Sequence, residues 1–228
     1  ANKTIIDGLR SLVDKPFEKL NLAFIPTAAN VEEGDKGWLL DDYTNIRALG
    51  FASVDIVDIS ALPRDIWEPR LKQADILMFS GGNTFYLMHW VEKSGLKDLL
   101  PELLKTKIYI GISAGSCITG PTIYNSVQNL FEEIKKYNQK MGLKIVNFQF
   151  IPHLNSDYFS KIRKEDLEVA AQKITDPIYA VDDQSAVIVS GDKIDIVSEA
   201  YAHTSCVSPC PGGSCGVQFP CGNWRDCP

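Results

Sequence analysis

The segment 107–115 carries the residue types and spacing of a nucleophilic hydroxyl. Its apolar, β-branched run ends abruptly in Gly111-Ile112-Ser113-Ala114-Gly115, a Gly-x-Ser-x-Gly pattern. Glycines beside a serine let the chain bend sharply, and a helix that follows directs its N-terminus at the serine. The pattern predicts a strand-to-helix turn with Ser113 as nucleophile. The alternative is a surface turn that contains a serine by chance.

A serine attacks a carbonyl near neutral pH only when a base accepts its proton. The chain has three histidines. His203 lies at the edge of a cysteine-rich segment, and His89 lies inside a predicted helix. His153 follows the end of a predicted strand and is therefore the best candidate base. The alternative for His153 is a loop histidine on the surface.

The tetrahedral intermediate of acyl transfer carries an oxyanion that requires two backbone N–H donors. Ala114, directly after the serine, would supply one of them. The pair Gly81-Gly82 would supply the other, because a backbone without side chains can approach a substrate closely. The alternative is a glycine turn that only caps the next helix, with Asn83 or Thr84 as the N-cap. The two interpretations are compatible.

Strand-like and helix-like segments alternate along the first 200 residues. The predicted strands are 22–26, 54–59, 74–79, 107–112, 145–151, 178–181, 186–189 and 194–197, the last two joined as a hairpin across Gly191-Asp192. The predicted helices are 38–49, 63–71, 84–91, 96–105, 131–141 and 165–174. This alternation indicates a three-layer α/β fold, a mostly parallel sheet with helices on both faces. Active sites of such folds gather at the carboxyl ends of strands, where the loops 26–30, 80–84 and 152–155 and Ser113 are expected.

Composition excludes several classes of function. The chain has 228 residues, enough for one large domain, and a net charge of -6. An acidic protein is a poor partner for nucleic acid. No apolar run approaches the length that spans a bilayer, so we expect no membrane segment.

The cysteines divide the chain into two regions. Residues 1–200 contain only Cys117 and form the predicted α/β domain, whereas residues 201–228 contain Cys206, Cys210, Cys215, Cys221 and Cys227. The second region has no helical or strand periodicity, which predicts an irregular tail, an appendage or a small disulfide-stapled unit. Its cysteine spacing does not match a zinc pattern, so no metal site is predicted.

Three motifs in order resemble those of the dipeptidase E and cyanophycinase family of serine peptidases. They are Phe79-Ser80-Gly81-Gly82-Asn83-Thr84-Phe85, Gly111-Ile112-Ser113-Ala114-Gly115-Ser116 and Asn147-Phe148-Gln149-Phe150-Ile151-Pro152-His153. Segments 25–28 and 181–186 are also similar, and the resemblance covers residues 17–198. It implies a class I glutamine amidotransferase-like fold with serine in place of the nucleophilic cysteine. It also implies a nucleophile at Ser113, a base at His153 and an oxyanion hole near Gly82 and Ala114.

The sequence offers several candidates for the third member of the catalytic triad. A gap-free comparison places Gln128 where dipeptidase E carries its triad aspartate. A glutamine can orient an imidazole but cannot stabilise the imidazolium with charge. The acidic alternatives are Glu132, Glu133, Asp157 and Asp183. The family also begins with an extra apolar strand that we expect to be absent here, since the chain opens at Ala1-Asn2-Lys3-Thr4.

The resemblance also implies a substrate class. Members of the family cleave small acidic peptides, either dipeptides with N-terminal aspartate or an aspartate–arginine polymer. A pocket for aspartate requires a cation, and Arg163, beside Lys164, is the nearest candidate; a solvated helix start is the alternative. Asn83 is a second candidate for substrate binding, or only a helix cap.

The sequence therefore predicts a serine peptidase that hydrolyses short, acidic peptides through an acyl-enzyme, without a metal or organic cofactor. The alternatives are a non-catalytic binding relative on the same fold, favoured by Gln128 and the tail, and another serine hydrolase such as an esterase or amidase. The resemblance implies a cytoplasmic location, whereas five clustered cysteines suggest an oxidising compartment or an artificial addition. The sequence makes no prediction about the oligomeric state.

Overall fold

The computed structural model describes residues 2–123, 130, 131, 133, 137, 139–171, 175–199 and 205–207. The chain divides into two compact units. The first, called the parallel-sheet unit, comprises Val13–Ile118 and Glu133–Gln139. The second, called the hairpin unit, comprises Ala1–Leu12, Thr119–Glu132 and Lys140–Pro228.

The regular elements follow one another as helices between strands. The helices are α1 (Lys3–Leu12), α2 (Gly37–Ala48), α3 (Arg64–Gln73), α4 (Thr84–Lys93), α5 (Leu96–Leu103), α6 (Ala114–Cys117) and α7 (Lys164–Ala171), with short 3-10 helices at Phe17–Lys19 and Thr27–Val31. The strands are β1 (Asn21–Ile25), β2 (Ser53–Ile56), β3 (Ile76–Phe79), β4 (Ile108–Gly111), β5 (Gln149–Ile151), β6 (Ile178–Ala180), β7 (Ser185–Ser190), β8 (Lys193–Ser198) and β9 (Ser205–Val207). None of the helices in the described ranges is long and apolar enough to cross a bilayer.

The parallel-sheet unit contains a four-stranded sheet in the order β2-β1-β3-β4, with every neighbouring pair parallel. In the central strands, the apolar side chains of Leu22, Phe24, Ile76 and Leu77 are buried on both faces. A run that is apolar on both faces needs helices on both sides of the sheet. The predicted α/β fold with a parallel central sheet flanked by helices is confirmed.

The strand order brings three loops to one edge. The chain leaves β1 for β2 on one side and then returns to β3 on the other, so the order reverses between β1 and β3. The loops that follow β1, β3 and β4 leave from neighbouring carboxyl ends, the place where ligands bind in open parallel sheets. These loops hold residues 26–31, 80–83 and 112–113.

The hairpin unit has two small sheets. β6 pairs in parallel with β5 and antiparallel with β9, while β7 and β8 form an antiparallel hairpin across Gly191-Asp192, as the sequence predicts. Helix α1 packs on this hairpin through Gly8, where an added Cβ would lie 2.5 Å from Ile188 Cδ1. A hydrophobic core beside the first sheet consists of Leu130, Ile151, Leu154, Ile162, Leu167, Ile178 and Ala180.

Several elements differ from the sequence prediction, and helix α1 lies where no element was predicted. The predicted strand 145–151 is regular only from Gln149, because Ile145 N–H instead donates to Thr119 O at 2.9 Å. The predicted helix 131–141 falls largely outside the described residues, and residues 131, 133, 137 and 139–141 are not helical. Strand β9, at residues 205–207, lies inside the segment predicted to be irregular, where the edge of β6 supplies its backbone partners.

Candidate active site

Ser113 lies at a sharp turn between β4 and α6. Its backbone angles are φ 47° and ψ −108°, a combination that side-chain-bearing residues rarely adopt. Such a conformation costs about 1–3 kcal/mol and persists only when the surrounding structure enforces it. The predicted strand-to-helix turn is therefore present, and its strain is concentrated at the serine.

Hydrogen bonds on both sides enforce this turn. Tyr109 Oη donates to Gly115 O at 2.6 Å, and Ser116 Oγ donates to Gly111 O at 2.6 Å. The backbone N–H groups of Ser116 and Cys117 both donate to Ser113 O at 2.9 Å. Strand β4 and helix α6 are thus connected around Ser113 in both directions. Burial raises the pKa of the Tyr109 phenol well above its usual value, so its hydroxyl stays protonated and remains a donor.

The two motif glycines are required by close backbone packing. A Cβ at Gly111 would lie 2.6 Å from Gly115 C, and a Cβ at Gly115 would lie 2.3 Å from Phe79 O. Both contacts involve backbone atoms, which could shift only at a large cost in free energy. The Gly-x-Ser-x-Gly spacing therefore reflects how tightly α6 approaches β3 and β4.

The Gly81-Gly82 loop lies directly beside Ser113. A Cβ at Gly81 would lie 3.3 Å from Ser113 Cβ. Gly82 has φ 123°, and a Cβ there would lie 2.4 Å from Ala28 O, so only glycine fits. Within the described part of the chain, no acceptor takes the N–H of Gly82 or Ala114. Each of the two segments that meet at the serine therefore has one amide that no described residue of the chain accepts from.

Trp38 borders the same place, although no sequence motif pointed to it. Its Cζ3 lies 3.7 Å from the position of a Cβ on Gly81, and the side chain is 39% exposed. An exposed indole beside a glycine loop forms an apolar wall for a bound molecule. The sequence offered no signal for this role, because Trp38 reads only as one apolar residue of a helix.

His153 is held in place from several sides within the hairpin unit. Its Nδ1 lies 2.6 Å from Asp183 Oδ1. The ring of Phe159 stacks on it at 4.3 Å, and the ring of Phe131 meets it edge-on at 6.3 Å. The backbone of His153 has φ 66°, and the next amide, Leu154 N–H, donates to Val181 O at 2.9 Å.

The Asp183 contact determines what the imidazole can do. A carboxylate accepts the Nδ1–H, which leaves the lone pair of the neutral ring on Nε2. That tautomer is the one a general base requires, and the nearby negative charge stabilises the imidazolium that forms.

Of the other candidates for the third triad position, the two within the described residues, Asp157 and Glu133, do not share this contact. Gln128 and Glu132 lie outside the described residues. Asp157 is exposed in the loop after His153. Glu133 belongs to the parallel-sheet unit, where its Oε2 accepts Thr84 N–H at 2.6 Å and its Oε1 accepts the Thr84 hydroxyl at 2.7 Å.

The two candidates for substrate binding both make structural hydrogen bonds. Asn83 is buried, and its Oδ1 accepts Tyr86 N–H at 2.9 Å, which makes it the N-cap of α4. Arg163 Nη1 donates to the carbonyls of Ser156, Phe159 and Ile162 at 3.0–3.1 Å. The cap predicted as the alternative for Asn83 is thus present, and Arg163 organises the loop after His153.

Cys117 packs beneath the turn, as its position in the sequence suggests. It is a free, buried cysteine. Burial, and then the charge of Glu133, raises the pKa of its thiol, so the reactive thiolate is suppressed.

An α/β domain with a strained serine at the carboxyl edge of a parallel sheet has the architecture of the amidotransferase-like hydrolases. The chain belongs to Peptidase family S51, whose model matches residues 1–197. The resemblance inferred from the motifs is confirmed, and family membership makes the chain a peptidase.

Relatives and solved structures agree with this membership. Peptidase E of Shewanella oneidensis is 30% identical over 226 residues, covering 88% of this chain and 91% of the relative. An uncharacterized peptidase of Pasteurella multocida is 29% identical, covering 77% and 84%. The crystal structure of a Peptidase E candidate from Listeria monocytogenes superposes with a TM-score of 0.72 at 25% identity, covering 84% of this chain and 92% of that one.

Proposed function

We propose that the chain is a serine peptidase that hydrolyses short peptides. Ser113 is the nucleophile, His153 is the general base, and Asp183 orients and stabilises the imidazole. The amides of Ala114 and of the Gly81-Gly82 loop bind the oxyanion. The observation that carries the proposal is the strained backbone of Ser113, with φ 47°.

The strain supports a chemical role because it costs free energy in the folded state. A serine in a relaxed turn would satisfy the connection between β4 and α6 at lower cost. The paired hydrogen bonds from Tyr109 and Ser116 and the close packing of Gly111 and Gly115 all maintain it. A sharp turn of this kind projects the hydroxyl out of the backbone, where a substrate carbonyl can reach it.

The reaction then follows acyl transfer. Ser113 Oγ attacks the scissile carbonyl while His153 Nε2 takes the hydroxyl proton. The carbonyl oxygen becomes an oxyanion and accepts hydrogen bonds from the two amides. The C–N bond breaks, and the imidazolium gives its proton to the leaving amine. A water molecule, deprotonated by His153, hydrolyses the acyl-enzyme and frees Ser113.

We assign the third position to Asp183 in preference to Gln128. The 2.6 Å contact with His153 Nδ1 supports this choice, since a carboxylate in that place fixes the tautomer and offsets the positive charge. The acidic group then comes from the segment that precedes β7, 30 residues after the histidine.

The proposed substrates are short peptides that contain aspartate, the substrate class that the motif resemblance implies. Arg163 supplies the cation for an acidic side chain. Because Nη1 is occupied by carbonyls, the bound carboxylate would use the remaining guanidinium nitrogens. Asn83 contributes through its placement of the neighbouring glycine loop. The proposed location is the cytoplasm.

A fluorophosphonate probe tests the nucleophile. We expect the wild-type protein to gain one covalent adduct, mapped by peptide mass spectrometry to Ser113, and to hydrolyse an Asp-x dipeptide. Ser113→Ala should lose both the adduct and the activity while keeping its thermal unfolding transition. Ser190→Ala, in the exposed end of β7, is the matched control and should behave as wild type. Undiminished hydrolysis by Ser113→Ala would refute the proposal, and absence of any adduct in the wild type would favour a non-catalytic binding relative.

A further inference from the structure

Glu133 and Thr84 form a network of hydrogen bonds at the N-terminus of α4, inside the parallel-sheet unit. Glu133 Oε1 accepts the Thr84 hydroxyl at 2.7 Å, and Glu133 Oε2 accepts Thr84 N–H at 2.6 Å and Phe85 N–H at 3.4 Å. Thr84 is 1% exposed, so no solvent replaces its partner.

The network holds the residue that follows the glycine loop. Thr84 directly follows Gly82-Asn83 and is the first residue of α4. The Gly81-Gly82 loop carries one of the proposed oxyanion donors, and a Cβ on Gly81 would lie 3.3 Å from Ser113 Cβ. Glu133, which lies 49 residues away from Thr84 in the chain, therefore fixes the end of this loop.

The loop has a second attachment on its opposite side. Asn83 N–H donates to Ala28 O at 2.9 Å, and Gly82 lies directly against the same carbonyl. The loop is therefore held at Ala28 on one side and, through Thr84, by Glu133 on the other.

We propose that Glu133 is a positioning residue: through Thr84 and the first turn of α4 it holds the Gly81-Gly82 loop in place beside Ser113 and so sets the position of the oxyanion amide in that loop. This role rests on the proposed function. It differs from the triad role considered for Glu133, because the carboxylate acts on the loop and not on the imidazole.

The charge state of Glu133 gives the network two arrangements. Burial raises the pKa of Glu133 most, hydrogen bonds from Thr84 and Phe85 lower it, and the charge of Glu32 raises it, to about 7 in all. Cys117 is the other titratable group against it, and its thiol stays protonated. The ionised carboxylate accepts all three donors of α4. The protonated form carries an O–H that competes to donate to Thr84 Oγ1, which weakens the attachment of the loop.

Substitutions at Thr84 test the positioning role. Thr84→Val keeps the shape and removes the hydroxyl, and we expect kcat for peptide hydrolysis to fall about 10- to 100-fold with KM changed less than about twofold. Thr84→Ser restores the hydroxyl and should recover most of the activity. Thr44→Val, on the exposed face of α2, is the matched control and should leave kcat and KM unchanged.

The pH profile provides a readout that a merely structural role would not move. In the wild type the ionised carboxylate of Glu133 holds the loop, so protonation of Glu133 should add one unit to the slope of log kcat/KM on the acidic side. Glu133→Gln cannot titrate, and its acidic limb should be less steep by that unit. Equal slopes in the two proteins would overturn the inference, even if Glu133→Gln were less stable.

The same protein preparations separate this inference from the proposed function. If the fluorophosphonate adduct maps to Ser113 but forms as fast in Thr84→Val and Glu133→Gln as in the wild type, the positioning role is wrong and the nucleophile stands. If no adduct forms at Ser113 and Ser113→Ala keeps full activity, the proposed function itself is wrong, and the inference falls with it.

Discussion

The hydroxyl of Tyr109 donates a 2.6 Å hydrogen bond to the carbonyl of Gly115, across the turn that contains Ser113. Strand β4 is thereby tied to helix α6 on either side of the strained residue. The bond is part-buried, and its acceptor is a backbone carbonyl of α6. It provides a direct way to ask whether the strain at Ser113 matters for activity.

Tyr109→Phe should cost both stability and activity. Loss of the hydroxyl leaves Gly115 O without this buried donor, so we expect the free energy of unfolding to fall by about 1–3 kcal/mol in urea denaturation. The labelling rate of Ser113 by the fluorophosphonate should fall as well, because the turn is less firmly held. Tyr158→Phe removes a hydroxyl from a side chain that is 92% exposed and should change neither quantity.

Gly115→Ala should prevent the native turn from forming. Its Cβ would lie 2.3 Å from Phe79 O, a backbone atom of the central sheet that cannot yield. We expect a loss of more than about 3 kcal/mol of stability, or failure to fold, measured by thermal melting. Gly37→Ala is the matched control, since its Cβ would meet Asp35 at an ordinary 3.7 Å. A melting temperature of Gly115→Ala close to that of Gly37→Ala would contradict the packing described for the turn.

Asp183→Asn should lower kcat far more than it raises KM. The amide cannot enforce the tautomer with Nε2 unprotonated or stabilise the imidazolium, so we expect a loss of about 10³- to 10⁴-fold in kcat. Steady-state hydrolysis of an Asp-x dipeptide measures it. Asp157→Asn, at an exposed position in the loop after His153, should keep kcat within about twofold of wild type. The reverse ranking of the two variants would transfer the triad role to Asp157.

Trp38→Ala should weaken substrate binding more than chemistry. The indole borders the space beside Gly81 and Ser113, so its loss removes an apolar wall of the site. We expect KM to rise about tenfold while kcat changes less. Leu40→Ala is the matched control, because Leu40 is 66% exposed and lies two positions further along α2, on another face of the helix. An unchanged KM in Trp38→Ala would exclude contact between the indole and the substrate.

The half-buried carboxyl of Asp42 makes stability pH-dependent. Burial, and then the charge of Asp41, raises the pKa of Asp42 from 3.8 to about 6. The folded protein holds this proton at pH values where the unfolded chain has lost it, so this contribution is greatest below about pH 4 and declines as the pH rises through about 6. Asp42→Asn should flatten the decline by about 1–2 kcal/mol between pH 4 and 7.5, after allowance for partial exposure.

Urea denaturation at several pH values measures this effect. Asp14→Asn, at an exposed position, is the control and should reproduce the wild-type pH dependence. If stability of the wild type rose across the same range relative to Asp42→Asn, the assigned direction of the pKa shift would be wrong.

Local pattern was sufficient to predict the parallel sheet and the turn. β1 and β3 are continuous apolar runs, and both glycines of the Ser113 motif are needed by contacts within a few residues or with the adjacent strand. Such features depend on short-range sterics and on which faces are buried, both of which leave a trace in neighbouring residues. The strand 145–151 was predicted too long because the pattern of apolar residues does not show which segment they pair with. The first part of this segment hydrogen-bonds to a loop at Thr119 and not to a strand.

The amino-acid sequence alone determined the strand-to-helix turn at Ser113, the glycine loop before α4 and the position of His153 after a strand, because each depends on consecutive residues. Only the tertiary structure decided that Asp183 contacts His153, that Glu133 caps α4 and that Trp38 lies beside Gly81. These contacts join residues 30 to 49 positions apart. They arise from how the chain folds within each unit, and several carboxylates in the chain were chemically equivalent until that folding distinguished them.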